Sequence, residues 1–208
     1  INTITSIIIG YLCGCIQTSY LIGKLFRNID IREHGTKNAG GSNAVVVFGW
    51  AIGIFTVLFD MLKATLAVYI VLHYCDDGVT SAFLAGTAAV LGHIHPFFMG
   101  FKGGKGFGSY VGMLIGFNPL FGISVFLGAS LFTMITNYVA LGTVIVVVLC
   151  PIVIHYFPDV IIHDVQIEAL STLIFISCYI IFKHLKNLRQ IFITKDEITF
   201  WSVVFKKK

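Results

Sequence analysis

Charge is what this chain of 208 residues has least of: Asp, Glu, Lys and Arg together make up 12% of it. A soluble domain carries about a quarter, so an ordinary water-facing surface is excluded. Ligand spacing for zinc is absent, and the five cysteines are odd in number and mostly lie inside apolar runs. They read as small apolar side chains, and Cys13-x-Cys15 is too close for a metal or redox pair. No H-E-x-x-H, no G-x-S-x-G and no acid-rich Mg²⁺ motif occurs, which removes zinc-peptidase, serine-hydrolase and nucleotide-alcohol chemistries. Nor does H-x-x-x-x-D follow any of the seven histidines; His163 with Glu168 comes nearest.

What is present is apolar: 57% of residues, with a mean hydropathy of +0.90. Long apolar runs dominate over short alternating ones, so the fold expected is all-α, a polytopic integral membrane helical bundle. The expected runs are 4–26, 44–74, 79–99, 107–117, 119–136, 138–156 and 169–182. That makes about seven transmembrane helices in a single membrane-embedded domain, residues 1–208. The first run is too long for a signal peptide and is read as a span. The chain opens at Ile1, so an initiator Met is expected to have been removed or to precede this sequence. Lys24, Arg27, Arg32 and Lys37 follow the first run, and Lys183, Lys186, Arg189 and Lys206–Lys208 follow the last. Asp76, Asp77, Asp159 and Asp164 mark the other side. Positive residues flank the cytoplasmic ends of spans, so the N-terminus is expected outside and the C-terminus in the cytoplasm. Between Lys105 and Asp159 either three crossings, the first short or tilted, or one crossing with a re-entrant pair satisfies the sidedness. Residues 192–205 mix Phe, Trp and Val with charge and suit the membrane interface. The net charge of +4 gives no reason to expect nucleic acid.

One stretch concentrates the unusual residues: Gly92 to Ser109, G-H-I-H-P-F-F-M-G-F-K-G-G-K-G-F-G-S. Glycines let backbone N–H groups turn toward an anion, and a helix starting after Gly106 aims its positive end there. Lys102 and Lys105 add charge. Lysines alone would suit an ordinary cytoplasmic loop; with His93, Gly103, Gly104 and Gly106 the pattern reads as a phosphate site. It is not a Walker loop, because Lys105 is followed by Gly106. Asp60 and Lys63 share a helical face inside a run; they read equally as a structural ion pair or as part of a site. His93 reads as a backbone-bonded helix-end residue or as a catalytic one. The segments 32–43, 102–109 and 184–189 all fall on the expected cytoplasmic face.

The G-H-x-x-P-F-F-x-G-F-K-G-G-K-G run resembles the loop of the bacterial acyl-phosphate:glycerol-3-phosphate acyltransferases, the PlsY family. Arg32-x-x-Gly35-Thr36-Lys37-Asn38-x-Gly40-x-x-Asn43, Phe59-Asp60-Met61-Leu62-Lys63 and His184-x-x-Asn187 resemble further family motifs in the same order. The resemblance implies an enzyme of the bacterial plasma membrane, multi-pass, with its site facing the cytoplasm. It would move a fatty acyl group from acyl phosphate to the 1-hydroxyl of sn-glycerol 3-phosphate, giving lysophosphatidic acid and phosphate. No metal or other cofactor is implied, and the chain is expected to work as a monomer in membrane lipid.

On that reading Lys105 and the glycine loop hold one phosphate, and Arg32, Lys63 or Lys102 the other. Thr36, Asn38, His184 and Asn187 orient the acceptor; Asn43, Ser109, Thr143 and Glu197 complete the binding set. His184 is the first candidate base, His93 the second, and a substrate phosphate the third. The chain departs from the family pattern at Cys15, Lys37, Ala140 and Gln190. A non-catalytic or altered-specificity paralogue, or a carrier of phosphorylated lipid using the same basic loops, is the alternative.

Overall fold

The computed structural model describes residues 3–75, 78–161, 167–195 and 198–204. Every regular element among them is helical. The first apolar run is α1 (Thr3–Cys15) and α2 (Thr18–Phe26), bent by 43° at their junction. A short α3 (Gly41–Phe48) leads into α4 (Trp50–Tyr74); Gly49, at φ 92, separates what the sequence presents as one run. Then come α5 (Gly78–Ile94), α6 (Phe107–Phe117), α7 (Pro119–Thr136), α8 (Val139–Tyr156), α9 (Ile167–Arg189) and α10 (Phe200–Val204). Between α6 and α7 the break is capped, with Asn118 Oδ1 accepting from Phe121 N–H and Pro119 opening α7. The expected interfacial segment opens as a π-turn extending α9, Gln190–Thr194, and ends in α10.

Two seams of small residues hold the bundle at close range. A Cβ at Gly10 or Gly14 of α1 would lie 2.0 Å from the Ala85 or Ala89 carbonyl of α5, and one at Gly112 of α6 would lie 2.0 Å from the Met61 carbonyl of α4. Such backbone-to-backbone contact is how helices associate where lipid is as apolar as a side chain. Outside, large apolar residues are bare: Leu120 is 77% exposed and Leu25 72%. That outward apolar surface is what a bilayer covers.

The two faces of the bundle are identified by contacts. Asn137 accepts from Phe200 N–H through its carbonyl and from Trp201 N–H through Oδ1, and Phe200 meets Trp50 edge-on. The end of α7, the start of α4 and α10 therefore share one face. Thr3 lies 3.3 Å from Ser81 at the opposite end of α5. Among the described residues five helices are long and apolar enough to cross a membrane, six when the bent α1–α2 pair counts as one. The remaining leg, α6, has 11 residues, about 17 Å against about 30 Å of hydrocarbon. The expected count of about seven thus divides into six of spanning length and one short leg.

Candidate functional site

The glycine loop is built as a return along its own helix. After α5 the chain turns through Pro96 and the 3-10 turn Phe97–Met99, and Gly100 and Phe101 are both left-handed, at φ 63 and 59. It then runs back beside the end of α5: Gly103 N–H donates to the Ile94 carbonyl and Gly104 N–H to the His93 carbonyl. Those two amides, expected to face an anion, are spent here on carbonyls at the end of α5. The two glycines answer a packing need instead: a Cβ at 103 would lie 2.1 Å from the His93 carbonyl, and one at 104 2.1 Å from His93 Nε2. Gly106, at φ 94, starts α6. The first amides of α6 have no intrahelical acceptor.

Beneath the loop lies a buried charged cluster. Lys63 donates to the Ile16 carbonyl at 2.6 Å, to Asp60 Oδ1 at 2.7 Å and to His93 Nδ1 at 2.9 Å. An ammonium has three hydrogens, and all three are taken. Lys63, read from sequence equally as a phosphate ligand or as half of a structural ion pair, here forms a buried ion pair with Asp60, 97% inaccessible at both residues. His93 Nδ1 also lies 3.3 Å from Asp60 Oδ1, so the three side chains form one cluster, with Nε2 facing Gly104. Gln17, at the α1–α2 break, donates to the His93 carbonyl at 2.9 Å. A lone Gln inside an apolar run was the available signal for it.

Arg32 is also committed. Its Nε and Nη2 fork onto Asp30 at 2.9 and 2.7 Å, and Nη1 donates to the Met99 carbonyl at 2.6 Å and the Lys102 carbonyl at 3.3 Å. The hydrogen bonds from Arg32 hold the Asp30 carboxyl below its usual pKa, and Asp30 raises that of Arg32. Arg32, one of the residues expected to hold the second phosphate, here clamps two loops together, and Asp30, two residues before it, was missed. Asn43 is fully buried: its amide donates to the carbonyls of Ile31, His34 and Asn38, and its Oδ1 accepts from Thr36 N–H. Asn38 Nδ2 donates to Thr36 Oγ1 at 2.8 Å. Asn43 thus shapes the loop that presents Thr36 and Asn38. Lys37 holds a left-handed turn at φ 57. Ser109 is buried and donates to the Asp60 carbonyl at 3.2 Å. Thr143 is buried within α8, with no hydrogen bond to the loops among the described residues.

The glycine loop joins the other two segments. Ala39 N–H reaches the Gly103 carbonyl at 3.5 Å, and Lys105 donates to Asn187 Oδ1 on α9. His184, one turn earlier on the same face, donates from Nδ1 to the Ile180 carbonyl at 2.8 Å. That fixes the tautomer and leaves a lone pair on Nε2. Lys102 is exposed on the loop. Glu197 lies outside the described residues. Among those described, no group of three His, Cys, Asp or Glu side chains is placed to hold a metal. Apart from these residues, a largely apolar cavity of about 490 Å³ opens between Val45, Val46 and Trp50 and the α10 residues Val203 and Val204.

A family model described as Glycerol-3-phosphate acyltransferase matches residues 4–194. A protein of that name from Streptococcus thermophilus (strain CNRZ 1066) is 38% identical over 189 residues, covering 89% of this chain and 87% of its own. Another, from Chlorobaculum parvum, is 34% identical over 223 residues, covering 93% and 95%. Among solved structures, PlsY, an integral membrane glycerol 3-phosphate acyltransferase in its glycerol 3-phosphate form, superposes with a TM-score of 0.87. It is 26% identical, with 99% of both chains covered. Its lysophosphatidic acid form superposes with a TM-score of 0.81.

Proposed function

This chain belongs to the glycerol-3-phosphate acyltransferase family, and from that premise we propose that it moves a fatty acyl group from acyl phosphate to the 1-hydroxyl of sn-glycerol 3-phosphate. The observation that carries this reading is the contact of Lys105 with Asn187. It draws the positive start of α6, a flexible cation and the free Nε2 of His184 to one place.

The reaction forms a bond between the acceptor oxygen and the acyl carbon and breaks the acyl C–O bond to phosphate. Acyl phosphate is already an activated mixed anhydride, so the protein's contribution is positioning and stabilisation of the departing phosphate. Lys105 and the α6 amides neutralise that phosphate. Thr36, Asn38 and Asn187 orient the acceptor. The hydroxyl proton passes to His184 Nε2 or to a substrate phosphate. Lys102, exposed above the loop, serves the second anion; Arg32 and Lys63 act indirectly, by fixing the loop. The acyl tail enters sideways from lipid. The chain works as one domain and as a monomer in the bacterial plasma membrane, N-terminus outside, C-terminus and site on the cytoplasmic side.

The purified protein, in lipid, is mixed with a long-chain acyl phosphate and glycerol 3-phosphate, and phosphate release is followed with lysophosphatidic acid. Acceptor-dependent release, lost in Lys105→Ala, is expected. Folded protein that binds acyl phosphate without turnover would overturn the reading.

A further inference from the structure

His95 stands where four parts of the molecule meet. Its backbone ends α5 through a bond to the Leu91 carbonyl, and its own carbonyl accepts from Tyr11 of α1 at 2.8 Å. Ring atom Nδ1 lies 2.8 Å from the Phe101 carbonyl, and Nε2 lies 2.6 Å from the Tyr179 hydroxyl of α9. A carbonyl only accepts, so Nδ1 carries the hydrogen and Nε2 accepts from Tyr179. The tautomer is therefore set by the Phe101 carbonyl, and the Tyr179 hydroxyl, able to donate or accept, donates to Nε2 in response.

The Phe101 carbonyl needs such a partner. Gly100 and Phe101 are successive left-handed residues; glycine adopts that region freely, but for a bulky residue it costs about 1–2 kcal/mol. Phe101 is the last residue before Lys102 and the return strand that sets Gly103 and Gly104 against α5. An error in its carbonyl direction passes directly to Lys105 and to the start of α6. We propose that His95 is a positioning residue of the anion-binding loop: its Nδ1–H holds the Phe101 carbonyl, and Tyr179, donating to Nε2, holds the ring in that orientation. The assignment rests on the acyltransfer reading for its kinetic consequence, but not for its structural one. His95 touches no substrate. Its neighbour His93, which faces the same loop from below, is held by different partners, Lys63 and Gln17.

The two ring nitrogens are separable by substitution. Asn places an amide N–H where Nδ1 stood and loses Tyr179; Gln reaches Tyr179 and leaves the Phe101 carbonyl unpaired. In wild-type protein, His95→Asn, His95→Gln and Tyr179→Phe, two readouts are taken: hydrogen exchange of peptides spanning residues 97–109, and KM and kcat for glycerol 3-phosphate. His95→Gln is expected to speed loop exchange and to raise KM about tenfold with kcat within about twofold, the scale of one lost hydrogen bond. His95→Asn is expected to restore both within about threefold, and Tyr179→Phe to fall between. Thermal midpoints monitor folding. Equal effects of Asn and Gln, or Gln with unchanged exchange, would overturn the proposal. An inactive wild-type protein would instead overturn the acyltransfer reading, and the exchange series would still decide the role of His95.

Discussion

Lys63 Nζ lies 2.9 Å from His93 Nδ1, and neither side chain meets solvent. The lysine thus contacts the histidine while balancing Asp60. Removing one partner of such a pair leaves an uncompensated charge, at about 3–5 kcal/mol. Lys63→Met is expected to destabilise the protein by about that much, and adding Asp60→Asn to recover most of it. Denaturant unfolding in micelles checks this. A phosphate-binding lysine would instead raise KM and leave stability unchanged.

Asn187 presents an uncharged oxygen to Lys105. Asn187→Asp is nearly the same shape but converts that contact into an ion pair. The added carboxylate competes with a substrate phosphate for Lys105. KM for glycerol 3-phosphate or acyl phosphate is expected to rise about tenfold or more, with less loss at high salt than at low salt.

Lys37 sits at φ 57, a region costing about 1–2 kcal/mol for residues other than glycine. Glycine loses about 0.5–1 kcal/mol more backbone entropy on folding. Lys37→Gly is therefore expected to stabilise the protein by about 0.5–1 kcal/mol. A raised thermal midpoint in detergent is the check, and an unchanged or lower one counts against it.

The Asp30 carboxyl is depressed by its hydrogen bonds from Arg32. A depressed carboxyl binds fewer protons folded than unfolded, so stability rises with pH across that window. The contribution is fully present above the ordinary carboxylate value, near 4, and is lost as pH falls through the lower, folded one. Thermal midpoints of wild type and Asp30→Asn are expected to converge as pH drops from 6 toward 3. Parallel curves would show that the clamp does not depend on the charge of Asp30.

Much of this was legible because membrane helices announce themselves by length and composition, and Asn118-Pro119 and the Lys102–Gly106 run punctuate them. The convergence of residues 32–43, 102–109 and 184–189 followed from sidedness alone. What a side chain spends its hydrogens on was not legible. Arg32 and Lys63 look like free cations in sequence, because their partners, Asp30 and the Ile16 and Met99 carbonyls, are found only once the chain folds. Gly103 and Gly104 suggested an anion nest because glycine permits two things, an unusual turn and a close neighbour; only the position of His93 distinguishes them. His95 was passed over beside His93 because its partners come from α9 and from six residues downstream.

The shortness of α6 has a consequence for solvent. α6 and α7 share the Asn118 turn, but one has 11 residues and the other 18. The start of α6 therefore lies about 10 Å deeper than the end of α7. At that depth a charge is no longer dissolved in bulk water. An attraction worth about 1 kcal/mol at 4 Å in water becomes about 4 kcal/mol at an effective dielectric of 20. On the proposed function, an anion at the start of α6 meets that stronger attraction. On that same reading, a water-borne head and a lipid-borne tail meet at the start of α6, without either being carried into the other's medium.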